Sequence, residues 1–167
     1  MAKNTVIGAE TIASNILLYT KGFLREVNVD MVKIEKKLKS TIKTNISNTE
    51  YSLKDLAKMG HPYSRARPGK VHTPDYIVHR QTGEMLKGLK SGTKAAGLSS
   101  GKLKAEAFAG IADNVEHAKY VIFGTSKMVP RDFLRGSLNE IRKKVFQILK
   151  RSLNKTTISF KGKKVKL

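Results

Sequence analysis

A seven-residue apolar repeat near the N-terminus limits the possible folds more than any other feature of this sequence. It predicts an amphipathic helix over residues 9–47, because this spacing keeps the apolar side chains on one helical face. An unbroken helix of that length would be about 58 Å long, whereas a compact domain of this size has a radius of gyration of about 15 Å. We therefore expect the helix to break at residues 27–30, or to project and pack on a neighbouring subunit. The repeat consists of Leu17, Leu24, Met31 and Leu38, with Val27 and Ile34 in a companion stripe.

A second amphipathic helix is predicted over residues 133–153, where apolar residues recur at intervals of three and four. After Asn154 the pattern changes, since Ile158 and Phe160 alternate with polar residues as in an edge strand. The predicted buried face of the helix comprises Leu134, Leu138, Ile141, Val145, Ile148 or Leu149, and Leu153.

Alternating residues in the middle of the chain predict a small antiparallel sheet. Apolar and charged side chains alternate from residue 102 to residue 107, which is the period of a half-exposed strand. Residues 93–98 are the expected hairpin partner. Between residues 48 and 74 we expect one short turn of helix, at Tyr51, Leu53 and Leu56, and then a long loop. A strand is expected at 76–79, and short helices at 84–90 and 115–123, the latter capped by Asp113.

Together these elements predict an α+β fold in a single domain, residues 1–167, as the chain length suggests. A long N-terminal helix and a C-terminal helix would pack on a small, mainly antiparallel sheet. Within the domain we distinguish an N-terminal helix region (1–50), a core (51–154) and a basic tail or edge strand (155–167).

The segment from Tyr120 to Leu134 reads as an ordered, tightly turned connection between two packed elements. Gly124 can adopt a positive φ and so end the preceding element. Pro130 fixes its own φ and disfavours helix at the residue before it. Asp132 is a good N-cap for the helix that follows, because its carboxylate can accept free backbone N–H groups. Residues 124–132 are called the GTS loop below.

This segment also carries a family resemblance. The pattern of residues 120–128, YVIFGTSKM, followed by Pro, Arg and Phe-Leu at the head of a helix, resembles the neck or tail-completion proteins of long-tailed bacteriophages. Two further stretches are similar to that family: residues 60–63 (GHPY) and residues 82–86 (TGEML). The resemblance spans residues 53–153, and it departs from the family at Ile122 and Asp132.

The resemblance implies a structural role, in a homo-oligomeric ring of six or twelve subunits that joins the phage head to the tail. The implied partners are head-closure or connector proteins, tail-terminator or tail-tube proteins, and genomic DNA passing non-specifically through the lumen, with no membrane. The protein would reside in the virion neck, and in the host cytoplasm during assembly.

The GTS loop and its flank have two interpretations. Their residues either sit at a subunit interface or line the channel, as the resemblance implies, or merely shape a turn under the C-terminal helix. The candidate residues are Gly124, Thr125, Ser126, Lys127, Arg131 and Phe133.

The charge of the chain points to a polyanionic neighbour. The sequence contains 33 Lys and Arg against 13 Asp and Glu, a net charge of +20, and residues 131–167 carry half of the excess. The basic tail is interpreted as solvated, as facing DNA, or as a strand added to a neighbour's sheet. The charge also keeps open a different function, that of a basic accessory protein that binds nucleic acid without sequence preference. The DNA-facing candidates are Arg65, Arg67, Lys161, Lys163, Lys164 and Lys166.

Residue patterns that carry catalysis were sought and not found. The chain has no cysteine, its four histidines are scattered, and no hydrolase, P-loop or paired-carboxylate motif is present. We therefore expect a protein that is not an enzyme and uses no metal or cofactor. The polar residues near the N-terminus also predict neither a signal peptide nor a membrane span.

Overall fold

The computed structural model describes residues 4–47, 52–58, 76–80, 82–100 and 102–161, with side chains from residue 13 to residue 155 within these ranges except at 53, 56 and 57. The predicted α+β fold is confirmed: a long N-terminal helix, a C-terminal helix and a two-stranded antiparallel sheet. The elements in order are α1 (Asn4–Asn45), α2 (Leu53–Lys58), α3 (Glu84–Lys87), β1 (Leu89–Ser99), β2 (Lys102–Ile111), α4 (Glu116–Phe123) and α5 (Phe133–Lys161).

The break predicted in the first helix at residues 27–30 is wrong, because α1 runs through it without interruption. Asn28 and Asp30 suggested a break since such side chains compete for the helix backbone. Here they bond elsewhere: Asn28 Oδ1 accepts the Ala96 N–H at 2.6 Å, and Asp30 accepts the Ser152 hydroxyl and, at 2.9 Å, the Lys33 ammonium. Because Asn28 and Asp30 bond to tertiary partners, their side chains do not compete for the hydrogen bonds of the helix backbone.

The edge strand predicted at Ile158 and Phe160 is also wrong, because α5 continues to Lys161. The sequence holds no proline or glycine between Gly136 and Gly162. Extending an existing helix is far easier than starting one. β-Branched residues lower helix propensity by less than about 0.7 kcal/mol each, which is too little to stop it.

Three smaller predictions between the long helices need correction. Residues 76–79 form no strand; His79 is a single bridge position, and the Val78 N–H donates to the Asn45 carbonyl at 2.8 Å. The helix predicted at 84–90 ends at Lys87, and β1 begins at Leu89. Asp113 does not cap α4, because a turn at residues 113–114 places Val115 at the N-cap position. The predicted hairpin is confirmed, as is a short helix at residues 53–58.

The chain forms two compact units, each assembled from separate stretches. Unit 1 comprises Met1–Ile34, Thr93–Ala107 and Lys144–Leu167; unit 2 comprises Glu35–Gly92 and Phe108–Lys143.

The core of unit 1 is built where α1 and α5 pack against the hairpin. Val27, Met31 and Ile34 of α1 are buried in it. Among the described residues of this core, those from the hairpin are alanines. The partly buried residues around this core are Phe23, Ala96, Ala105, Ala107, Val145, Ile148 and Leu149.

Unit 2 has its own buried residues and a polar connection between α1 and α5. Asn45 Nδ2 donates to Ser137 Oγ and to Glu140 Oε1, both at 2.9 Å. The predicted buried face of α5 is confirmed at Ile141, Val145, Ile148 and Leu149, but it is wrong at Leu138 and Leu153, which are 52% and 48% exposed. In unit 2, Phe133 and Ser137 are buried instead of Leu138. The buried apolar residues of this unit are Leu38, Ile42, Ile46, Val78, Ala112, Ala118, Val121, Phe133 and Ile141.

Candidate functional site

The GTS loop begins at a position that only glycine fits. Gly124 ends α4 with φ 73° and ψ −179°, a backbone conformation that residues other than glycine rarely adopt. A Cβ atom at this position would lie 2.8 Å from both the Met128 carbonyl oxygen and the Pro130 nitrogen. The prediction that Gly124 ends the preceding element through a positive φ is confirmed.

Thr125 holds the loop closed. Its N–H donates to the Met128 carbonyl at 3.0 Å, and its Oγ1 accepts the N–H groups of Lys127 at 3.2 Å and Met128 at 3.1 Å. The turn leaves Ser126 and Lys127 exposed at its tip. These two residues are therefore the loop candidates whose side chains face solvent.

Arg131 ties the loop to two other parts of unit 2. Its N–H donates to the Val121 carbonyl at 2.7 Å, and its Nη1 donates to the Ile77 carbonyl at 2.8 Å. The residue is only 8% exposed, and Phe133 is fully buried. Both residues, named above as interface or channel candidates, shape the interior of unit 2.

The start of α5 follows the predicted cap. Asp132 Oδ1 accepts the Arg135 N–H at 2.9 Å, and the Asp132 carbonyl accepts the Gly136 N–H at 2.9 Å. Gly136 is needed here because any side chain would collide with the Tyr76 ring. The N-cap predicted at Asp132 is confirmed.

A cavity of about 370 Å³ opens beside the loop within unit 2, and no pattern in the sequence predicts it. Residues from two of the three stretches that carry the family resemblance line it: the TGEML stretch at 82–86, and Tyr120, Val121 and Met128. These residues lie far apart in the sequence, so the cavity could be found only from the fold. The other lining residues are Ile46, Val78, His79, Arg80 and His117.

The polar groups of the cavity include one pair of histidine and glutamate side chains. His117 Nδ1 lies 3.5 Å from Glu84 Oε2, and both side chains are substantially exposed. The cavity is lined by no serine and, like the whole chain, by no cysteine. Across the described residues, no group of three His, Asp or Glu side chains could hold a metal ion.

The predicted DNA-facing residues fall largely outside the described part of the chain. Arg65, Arg67, Lys163, Lys164 and Lys166 lie there, as does the GHPY stretch, while Lys161 is the last residue of α5. The structure instead shows exposed basic side chains along α5 that the sequence did not single out for DNA. They are Arg135, Arg142, Lys143, Lys144, Lys150, Arg151 and Lys155.

Comparison with known proteins finds no match for this chain. No protein-family model matches the chain, and neither a curated protein nor a solved structure matches it. Among the helices described, none is long and apolar enough to cross a membrane.

Proposed function

We propose that this chain is a structural subunit of the neck of a long-tailed bacteriophage. Copies of it assemble into a homo-oligomeric ring that joins head and tail and surrounds the DNA path. Its partners are the head-closure or connector proteins on one side and the tail-terminator or tail-tube proteins on the other.

One observation carries this proposal: the cavity of unit 2 brings the TGEML stretch together with residues of the YVIFGTSKM stretch. Motifs that act together are expected to share a surface, and these two line the same cavity. The GTS loop beside the cavity is held by Gly124, Thr125 and Arg131, which present Ser126 and Lys127 at its tip. A preformed surface of this kind suits repeated contact between assembly partners.

The charge fits a ring around DNA. Subunits with a net charge of +20 would surround the DNA with a strong positive field. Lys and Arg neutralise phosphates without reading the base sequence. For each phosphate neutralised, the logarithm of the DNA-binding constant falls by roughly 0.9 for every tenfold increase in salt concentration. Contact with passing DNA would thus be non-specific and salt-sensitive. Repulsion between such subunits must be offset by apolar contacts, acidic partners or the DNA itself.

The same charge supports a second function, that of a basic accessory protein that binds nucleic acid without sequence preference. The exposed Lys and Arg residues of α5 favour it, since that helix carries Glu140 as its single acidic residue. Such a protein would bind duplex tightly as a monomer and would have no need of head or tail partners.

Light scattering of the purified protein separates the two functions. The mass is measured at low and high salt, with and without a short DNA duplex, and with the head-closure and tail-terminator proteins encoded by neighbouring genes. Rings that form alone or on adding those partners support the neck function. A strict monomer that binds duplex with a steep salt dependence, and ignores the partners, supports the accessory function.

A further inference from the structure

An apolar cluster on α1 is more than half exposed in the described part of the chain. Ile16, Leu17 and Leu18 are consecutive and are 61%, 54% and 60% exposed; we call them the N-terminal patch. Successive helical residues are about 100° apart, so the patch spans more than half of the helix circumference. The hydrophobic core described for unit 1 includes residues further along the same helix, from Phe23 onward.

The patch also lies in an electrically unusual stretch. From Asn4 to Thr20 the chain has no lysine or arginine, which makes this the longest such stretch in a sequence with 33 of them. Its one charged residue is Glu10. A contiguous exposed apolar surface of this kind marks a site of interaction.

We infer that the N-terminal patch is a contact surface for a second copy of this chain. Two molecules with a net charge of +20 repel each other wherever their basic faces meet. The stretch around the patch is where another copy can approach with the least repulsion, because it contains no lysine or arginine. The apolar side chains then supply the favourable burial. The contact rests on the proposed function for its biological role, as one of the contacts that build the ring.

Sedimentation velocity over a wide concentration range tests the contact, with Leu17→Glu and Leu18→Glu as variants. The matched control is Phe123→Glu, since Phe123 is even more exposed but lies on α4 in unit 2. Wild type and control should self-associate alike, and more strongly in added salt, which screens the repulsion. Each patch variant should weaken association roughly thirtyfold or more, as the loss of an interface hot spot does. Circular dichroism should show unchanged helix content.

A wild-type protein that stays monomeric at every concentration and salt level overturns the inference, and so do patch variants that associate like wild type. Cross-linking identifies the occupant of the patch. Because the chain has no cysteine, Leu18→Cys provides a single attachment point for a photo-reactive cross-linker in a mixture of isotopically heavy and light chains. Mixed heavy–light products support a second copy; products confined to one chain show that the protein covers its own patch, and refute it.

Experiments on phage particles can refute the patch contact and the neck function separately. If a Leu17→Glu protein still assembles at the head–tail junction of phage particles, the contact is wrong and the neck function stands. If the wild-type protein self-associates through the patch but is absent from particles, the contact stands and the neck function is wrong.

Discussion

Replacing Gly124 with alanine tests whether the GTS loop is held as the structure shows. The residue has φ 73° and ψ −179°, a region nearly exclusive to glycine, and strain of this kind costs about 1–3 kcal/mol. The new Cβ would also meet two backbone atoms at 2.8 Å, neither of which can rotate away. We therefore expect Gly124→Ala to lower the free energy of unfolding by about 3 kcal/mol, at the upper end of that range.

Urea denaturation followed by circular dichroism measures this change, and Gly22→Ala is the matched control. Gly22 lies in α1, and a Cβ there meets no atom within 4 Å. Alanine is favoured over glycine in an exposed helix by about 1 kcal/mol, so the control should be more stable than wild type. For a chain of this length the Gly124 variant should melt roughly 6–12 °C lower. A loss below about 0.5 kcal/mol, the range of neutral surface changes, would refute the loop geometry.

Two further substitutions probe single hydrogen bonds by the same denaturation measurement. Ser152→Ala removes the hydroxyl that donates to the buried Asp30 carboxylate, and should lower the free energy of unfolding by about 1–3 kcal/mol. The control, Ser40→Ala on the exposed face of α1, should change it by less than about 0.5 kcal/mol. Equal effects of the two substitutions would contradict the buried hydrogen bond. Asp132→Ala removes the cap of α5 and should lower the free energy of unfolding by about 1 kcal/mol. Asp132→Asn should retain most of the stability, because asparagine is also a good N-cap. An asparagine variant as unstable as the alanine variant would argue against the cap.

Local chemistry made the GTS loop predictable. Gly124 can adopt the positive φ that ends α4, Pro130 fixes its own φ, and Asp132 caps α5, so the order of these residues in the sequence indicates where α4 ends and α5 begins. The hairpin was predictable for a similar reason, since strict alternation of apolar and charged residues indicates a strand with one covered face.

Features that depend on tertiary contacts could not be predicted from the sequence. The uninterrupted α1 depends on Asn28 bonding to a residue of the hairpin, a partner remote in the sequence. Leu138 and Leu153 were wrongly assigned to the inward face of α5, because Ser137 and Ser152 are buried next to them and a pattern of apolar residues alone cannot show buried serines. The cavity of unit 2 joins residues from several separate stretches, so no local pattern could indicate it.

The proposed neck function is tested most directly by locating the protein in phage particles. Ser126, exposed at the tip of the GTS loop, can be replaced by cysteine in a chain that otherwise has none, and the particles produced by the gene cluster that encodes the chain can then be labelled with gold and imaged. We predict gold at the junction of head and tail, in a ring of several copies. Particles that assemble fully without this protein, or that carry the gold elsewhere, would contradict the account.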